Sequence, residues 1–289
     1  MFPIDFQAFA LSLNMSPDDT AVLTDLYRRF TADPTFPALY AQVRKSAAML
    51  DAPAADSIIT ALAAKHSVSM HSTEAVLLLM LGIDAKPVYD QYRISQQVYL
   101  DSMADIVTWM RLCRKETGEV GTLHNFGWLM QPMLPRILKL GRLQFEMVVW
   151  QNDTPHSSIY AYPKNIPAGK QVLNVHIPEG EPLSHDACLA SYEQAKVFFP
   201  KHFDFHPQVF CCHSWLLAPQ LKEILPPDSN ILKFAADFTI LSAEQDSDAE
   251  WRIFGSKRPH EQKTRLQQRA YAYLAAGNKI GCGLGVIQI

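Results

Sequence analysis

The hydrophobic pattern changes its period near Gly118, and this change constrains the fold more than any other feature of the sequence. Before it, apolar residues recur at helical spacing, and Leu23, Leu26 and Phe30 would form one stripe of a helix. Ser16 is placed to cap that helix at its start. Similar patterns continue to Gly118, a suitable stop, so the sequence predicts an all-helical first part.

After this point the segment "RLQFEMVVW" (142–150) alternates polar and apolar residues. Arg142, Gln144 and Glu146 would lie on one face of a half-buried strand, because successive strand residues point to opposite faces. Further candidate strands are "SIYAY" (158–162) and "VLNVHI" (172–177). The second part of the chain is therefore expected to contain a sheet.

A strand, helix and strand are predicted from Val172 to His213. The helix would begin after Ser184, and "QVFCCHS" (208–214) would be the second strand. Parallel pairing with a right-handed crossover is the default arrangement for such a unit.

The remaining residues are expected to continue this mixed α/β architecture. Four elements are predicted: a short helix in "APQLKEILPP", a hairpin, a helix in "EQKTRLQQRAYAYLAAG" and a closing strand in "GLGVIQI". The hairpin would pair "ILKFAADFTIL" with "WRIFG" around the acidic residues 242–250 as a solvated turn. At 289 residues, the chain is long enough for two domains or one large α/β domain.

Composition excludes several classes of partner. The chain has 26 Lys and Arg residues against 29 Asp and Glu, so it offers no overall basic field for nucleic acid or an anionic membrane. Five cysteines, two of them vicinal, make a disulfide framework improbable and favour a reducing compartment. The apolar run 75–83 is too short to span a membrane. We expect a cytoplasmic protein with a small-molecule substrate.

Candidate site residues lie where the two predicted parallel strands end. His176 ends the first strand and His213 the second, and ligands of open α/β sheets bind outside such ends. Alternation puts Asn174 on the face of His176 and Cys211 on the face of His213. If the 142–150 strand joins the same sheet, Arg142, Gln144 and Glu146 would add polar side chains to those of the two parallel strands. A histidine near a strand end is also often a hydrogen-bonded core residue or one that anchors a loop, and that alternative stays open.

No metal centre is expected from the sequence. Cys211, Cys212 and His213 offer three ligands in a row, but consecutive strand residues point to opposite faces and cannot close on one ion. The two cysteines are better interpreted as small buried apolar residues. The sequence has no G-x-S-x-G, P-loop or G-x-G-x-x-G motif, and "GCGLG" (281–285) is interpreted as a turn before the last strand.

Four segments carry a resemblance to a known family: "LGRLQFE", "VHIPEGEPLSHDACLASYEQAKVFF", "CHSWLL" and "LPPDSNILKF". They resemble a bacterial family of acyltransferase-domain proteins with a helical N-acyltransferase N-terminal domain and a GNAT-like C-terminal domain. The resemblance implies a helical domain over residues 1–120. It also implies a GNAT-like mixed sheet flanked by helices over residues 121–289.

The same resemblance implies an activity, namely transfer of an acyl group from acyl-CoA to a small amine or peptide. In GNAT enzymes the donor lies where two central parallel strands splay, and a base deprotonates the attacking amine. Carried over to this chain, the base would be His176, His213 or Glu146. The donor would be bound by Asn174, Ile177, Gly180 and Ser184, and the acceptor by Arg142, Gln144, Ser214 and Trp215.

One segment departs from the GNAT pattern. The pyrophosphate loop is replaced by "PEGEPLSH", which puts Glu179 and Glu181 where a pyrophosphate would meet backbone N–H groups. Carboxylates at that position would repel CoA. The alternative function is therefore a catalytically degenerate GNAT-like module that binds a ligand or partner without acyl transfer, with the helical half as its interaction surface.

Overall fold

The protein is represented by a computed structural model that describes residues 5–150, 169–245, 248–255 and 264–289. Its contacts group into two compact units. The first comprises the chain up to Lys139 together with Pro178–Gly180, and the second comprises Leu140–Ile177 and the chain from Glu181 onward. The candidate strand at 158–162 lies outside the described residues.

The first unit is helical, as the hydrophobic period predicted. Ser16 accepts a hydrogen bond from the N–H of Asp19 and so caps its helix, and Gly118 ends the last long helix with φ of 80°. The central helix is buried throughout residues 73–79 and packs against several of the others. The helices are α1 Phe6–Ser12, α2 Pro17–Thr31, α3 Phe36–Met49, α4 Ala52–His66, α5 Met70–Gln91, α6 Gln96–Met103, α7 Asp105–Thr117 and α8 Phe126–Leu129.

Within the described residues, six strands form a mixed sheet with the order β1-β2-β3-β4-β6-β5. The β3 and β4 strands are parallel, and the β2–β3, β4–β6 and β5–β6 pairs are antiparallel. The predicted helical part followed by a mixed sheet with flanking helices is confirmed. The strands are β1 Ile137–Leu140, β2 Leu143–Val149, β3 Gln171–His176, β4 Val209–Ser214, β5 Thr239–Glu244 and β6 Cys282–Gln288.

The helices of the second unit flank this sheet. The 19-residue helix after Ser184 connects the parallel strands, as predicted, and the closing strand is also confirmed as β6. These helices are α9 His185–Phe203, α10 Leu221–Ile224, α11 Asn230–Ala236, α12 Ala249–Phe254 and α13 Arg265–Ala275.

The predicted hairpin between residues 231–241 and 251–255 is wrong. The Ser229 side chain accepts a hydrogen bond from the N–H of Leu232, which begins helix α11 where a strand had been predicted. Residues 249–254 are also helical, and β5 pairs with β6 instead. The acidic stretch is therefore not a hairpin turn, because its first three residues continue β5 and its last two begin α12.

Among the described helices, none is both long and apolar enough to cross a membrane on its own. Helices α4 and α5 would meet the length and composition only as a pair, and the chain bends by 117° between them.

Candidate active site

The two faces of the sheet differ in character. On one face, Phe145 of β2 and Phe210 of β4 pack against Tyr192 and Phe199 of α9, with ring centroids 5.2 to 6.4 Å apart. This aromatic cluster fixes α9 across the parallel pair. The opposite face carries polar and titratable side chains near the strand ends, and we call this part of the sheet the polar face. Its residues are Glu146, Asn174, His176, His213, Glu244 and Cys282.

The parallel ladder between β3 and β4 is short. It runs from Val172 opposite Val209 to Asn174 opposite Cys211. Beyond Asn174, β3 stays paired with β2 as far as His176, whereas β4 stays paired with β6 as far as Ser214. The two parallel strands therefore separate at their carboxyl ends, and each strand carries a histidine of the polar face there.

Glu146, Asn174 and His176 form a hydrogen-bonded cluster at this point. The Asn174 amide donates to Glu146 Oε2 at 3.1 Å, and His176 Nε2 lies 3.0 Å from the same oxygen. Asn174 Nδ2 is also 3.2 Å from His176 Nε2. An unprotonated Nε2 can accept from Asn174, and a protonated one can donate to Glu146. The cluster thus provides a partner for both states of the imidazole.

The position of these three side chains follows from strand register. Glu146 lies directly opposite Asn174 in the antiparallel β2–β3 pair, and His176 is two residues further along the same face. Asn174 is 3 % exposed, whereas the side chains of Glu146 and His176 are both nearly one-fifth exposed. The buried amide therefore orients two groups that solvent or a substrate can reach.

His213 belongs to a second cluster on β4, β5 and β6. Its Nε2 lies 3.2 Å from Cys282 Sγ and 3.9 Å from Glu244 Oε1. Burial lowers the pKa of His213, and the negative charges of Glu244 and Asp248 oppose this shift. The imidazole is consequently biased towards its neutral form.

Arg142 anchors the segment that leads into α9. It is 6 % exposed, and its guanidinium donates to the carbonyl oxygens of Glu181 at 2.9 Å and Pro182 at 3.0 Å. Its own main-chain N–H donates to Ser191 Oγ of α9 at 2.8 Å. Burial lowers the pKa of Arg142, although Glu181 opposes the effect. The side chain predicted to bind an acceptor is thus engaged with main-chain carbonyls.

Three of the other candidate residues occupy turns and helix starts. Gly180 has φ of 98°, a conformation that glycine adopts without strain. Ser184 is the N-cap residue of α9 but makes no side-chain capping bond, and Ser214 Oγ accepts from the N–H of Leu216. The remaining candidates lie elsewhere. Gln144 is paired with His176 across β2 and β3 and is 2 % exposed, and Ile177 directly follows β3. Trp215 packs against an apolar cluster that includes Leu221 and Ile253.

The vicinal cysteines are buried thiols. Alternation places Cys211 on the polar face, with its Sγ 3.9 Å from Asn174 Oδ1, and Cys212 on the opposite face. Burial raises the pKa of Cys211 to about 12 and also raises that of Cys212. Both groups are protonated at neutral pH, which disfavours a role as nucleophile.

The parallel strands β3 and β4 separate beside a polar cluster, and α9 is the crossover helix that connects them. This arrangement defines a GNAT-like fold. Comparisons agree with this assignment. Residues 137–287 match the GNAT-like C-terminal domain, and residues 4–133 match the N-acyltransferase N-terminal domain. The chain therefore belongs to the family that joins these two domains, as the sequence resemblance predicted.

Solved acyltransferase structures share the fold over almost the entire chain. One is a complex with decanoyl-CoA and teicoplanin, at 20% identity and a TM-score of 0.70, with 99% of each chain covered. Another, with decanoyl-CoA alone, has 21% identity and a TM-score of 0.69, covering 99% of this chain and 100% of that one. No curated protein matches this sequence.

The sequence did not point to Glu244 or Cys282. Glu244 was interpreted as part of a solvated turn, and Cys282 as part of a glycine turn before the last strand. Both lie beside His213 only because β6 is inserted between β4 and β5. The only hint in the sequence was the pair of glycines that flank Cys282, because glycine in a strand often marks the close approach of another main chain. In the structure, a Cβ on Gly281 or Gly283 would clash with a main-chain oxygen.

Proposed function

We propose that this protein is an N-acyltransferase that moves an acyl group from acyl-CoA to a small amine or peptide. The observation that carries the proposal is the end of the β3–β4 ladder at Asn174, directly beside the Glu146–Asn174–His176 cluster. A thioester placed between the parting strands would have its reacting carbon next to a base. The acyl-CoA complexes of the structural neighbours support the same class of donor.

The reaction requires a proton acceptor and stabilisation of the oxyanion, but no protein nucleophile. As the amine nitrogen bonds to the thioester carbon, its proton passes to the His176 imidazole. The C–S bond breaks with its electron pair on sulfur, and CoA leaves as a thiolate that then takes up this proton. Glu146 stabilises the imidazolium that forms, because its carboxylate lies 3.0 Å from Nε2. A main-chain N–H group of residues 174–177 that faces β4, and not one paired with β2, holds the thioester oxygen.

His176 is a better candidate base than His213. Burial lowers the pKa of His213, and the Glu244 carboxylate is 3.9 Å from its Nε2, too far for a hydrogen bond that would stabilise an imidazolium. His176, in contrast, has a carboxylate and an amide arranged for its protonated and neutral states. We therefore assign His176 as the general base and Glu146 as the group that stabilises its charged form.

The donor phosphates are assigned to the start of α9. Free N–H groups at a helix N-terminus attract anions, and Ser184 stands at that position. Arg142 fixes the approach to this helix through the carbonyl oxygens of Glu181 and Pro182. We assign Arg142 a positioning role there, with no direct contact to the acceptor.

Donor binding is tested by thermal unfolding with and without acyl-CoA of several chain lengths, with free CoA as the reference. A ligand that binds only the native state at 100 times its Kd stabilises it by about 2.7 kcal/mol, so a rise in Tm is expected. Transfer is tested by CoA release with a panel of amines, using His176→Ala as the matched inactive variant. Absence of any Tm shift with every donor would count against the proposal.

A second candidate function is a GNAT-like module that binds a ligand or partner without acyl transfer. The exposed carboxylates of Glu179 and Glu181 favour it, because they would repel a pyrophosphate at the adjoining helix start. Donor binding without CoA release in the presence of any amine would support this second function.

A further inference from the structure

We propose that His213, Glu244 and Cys282 together bind a divalent transition-metal ion of the zinc type. The three side chains come from adjacent strands of the polar face, β4, β5 and β6, and each offers one ligand atom. All three atoms lie within 4.8 Å of one another. The inference does not depend on the proposed acyl transfer, because it concerns ion binding alone.

The distances approach those of a tetrahedral site. Cys282 Sγ lies 3.2 Å from His213 Nε2 and 4.0 Å from Glu244 Oε2, and His213 Nε2 lies 3.9 Å from Glu244 Oε1. Zinc bond lengths of about 2.0 Å to nitrogen or oxygen and about 2.3 Å to sulfur imply separations of roughly 3.3 Å between nitrogen and oxygen and roughly 3.5 Å to sulfur. The two Glu244 distances involve different carboxylate oxygens, so one oxygen must move by roughly half an ångström or more to share an ion with both partners. The half-exposed Glu244 side chain allows that rotation.

The same residues do not fit a relay of thiol, imidazole and carboxylate. In a catalytic triad the nucleophile bonds one imidazole nitrogen and the carboxylate bonds the other. Here both the Cys282 sulfur and the Glu244 carboxylate approach the Nε2 atom of His213. Three ligand atoms grouped within 4.8 Å of one another suit metal binding, whereas a proton relay would need the sulfur and the carboxylate on opposite ring nitrogens.

The glycines around Cys282 explain why the site forms. A Cβ on Gly281 would lie 1.8 Å from the main-chain oxygen of Glu244, and one on Gly283 would lie 2.4 Å from that of Leu217. These residues must therefore lack side chains for β6 to reach its place between β4 and β5. The "GCGLG" segment thus holds the Cys282 thiol at close range to both partners.

Access and charge also suit an ion. The Cys282 residue is 5 % exposed, whereas the Glu244 side chain is 49 % exposed, so an ion can enter past the carboxylate and reach the sulfur. When Cys282 releases its proton on binding, a thiolate and a carboxylate balance the two charges of the ion. Because a metal-bound cysteine is a thiolate, metal uptake should release a proton.

Three protein ligands of mixed type leave a fourth position for water or a ligand oxygen, as in open zinc sites. A set of one nitrogen, one sulfur and one oxygen favours zinc or cobalt over magnesium and calcium, which prefer oxygen alone. An ion bound here would also occupy the Nε2 atom of His213. That is a second reason to place the base of the acyl transfer at His176.

Cobalt provides the direct test. The full-length protein is stripped with a chelator and titrated with Co²⁺, and absorption is recorded. We expect one ion per chain, with a thiolate-to-cobalt charge-transfer band that Cys282→Ala abolishes. His213→Gln and Glu244→Gln should weaken binding about tenfold or more. The matched controls are Cys113→Ala, which removes a buried thiol elsewhere, and His206→Ala, which removes an exposed histidine; both should retain the band.

A second measurement avoids dependence on the folding of the variants. In the wild-type protein, Zn²⁺ should slow alkylation of Cys282, quantified by mass spectrometry, more than alkylation of Cys113. The proposal is overturned if the wild-type protein shows no charge-transfer band and no zinc protection of Cys282. It is also overturned if Cys282→Ala, folded by circular dichroism, keeps the same band.

Discussion

His176 Nε2 lies 3.0 Å from Glu146 Oε2, across the antiparallel pair that β3 makes on the side away from β4. The carboxylate thus reaches the histidine from the paired edge of β3, and the other edge is where the parallel ladder ends at Asn174. A substrate between β3 and β4 could approach the imidazole without displacing Glu146. This arrangement separates the group that stabilises the base from the space assigned to the reacting atoms.

His176→Ala should lower kcat by about 10²- to 10⁴-fold, the usual contribution of a positioned general base. The Kd for acyl-CoA, measured by calorimetry, should change little, because the imidazole acts on the amine. An equal loss of donor affinity and turnover would assign His176 to binding instead.

Glu146→Gln should lower kcat less than loss of the histidine does, and should shift the pH–rate profile. The glutamine keeps the shape and an oxygen acceptor for the Asn174 amide but lacks the charge that stabilises the imidazolium. The profile of kcat/KM against pH should therefore differ from that of the wild type. Glu193→Gln, an exposed change on α9, is the matched control and should leave the profile unchanged. An unshifted profile in the Glu146 variant would contradict the assigned role.

Replacing Glu179 and Glu181 together with glutamine should tighten acyl-CoA binding. Both carboxylates are exposed and precede α9, where the donor phosphates are assigned, so their removal relieves a repulsion while the main-chain donors stay. The gain should be larger at low salt, because screening weakens the repulsion in the wild-type protein. Calorimetry at two salt concentrations measures it, and an unchanged Kd at low salt would favour the non-catalytic module.

Arg142→Ala should weaken acyl-CoA binding and lower the free energy of unfolding by about 2 kcal/mol, since it removes charged hydrogen bonds to the carbonyl oxygens of Glu181 and Pro182. The pH–rate profile should stay unchanged, because Arg142 positions a loop and does not act on the proton. Urea unfolding and calorimetry measure the two effects. Arg111→Ala, an exposed change on α7, serves as control. A shifted profile would contradict a purely positioning role.

Much of this architecture is encoded locally and could be predicted. The Ser16 cap, the alternation in β2 and the helix between the parallel strands depend on residues close in sequence. The pairing of His176 with Glu146 needed only the correct register of neighbouring strands. The position of Cys282 could not be predicted, because it depends on the insertion of β6 between β4 and β5, a contact between segments distant in sequence. Because residues 231–241 were predicted to pair with residues 251–255, the pairing of β5 with β6 was not predicted either.

Glu74 of α5 should make the stability of the protein fall as pH rises, apart from any catalytic role. It is fully buried, and Oε1 accepts from Thr122 Oγ1 at 2.8 Å and from the N–H of Asn125 at 2.9 Å. Burial raises its pKa, and these two hydrogen bonds and the charge of His71 oppose the shift while Asp56 adds to it. His124 Nδ1 lies 3.6 Å from Oε2, and burial lowers the pKa of that histidine.

The sign follows from proton binding: the folded carboxyl holds its proton at a pH where the unfolded one, with a pKa of about 4.3, has lost it. Its contribution is complete below that value and is lost as pH rises through the raised folded pKa, at ~1.4 kcal/mol per pKa unit. Glu74→Gln keeps an oxygen acceptor for Thr122 and Asn125 but cannot ionise. The free energy of unfolding of the variant should therefore rise relative to that of the wild type as pH increases from about 4 to about 7. Urea unfolding across this range, with the exposed Glu119→Gln as control, measures the difference. Parallel pH dependence of wild type and Glu74→Gln would show that the pKa of Glu74 is not raised by folding, and would contradict the prediction.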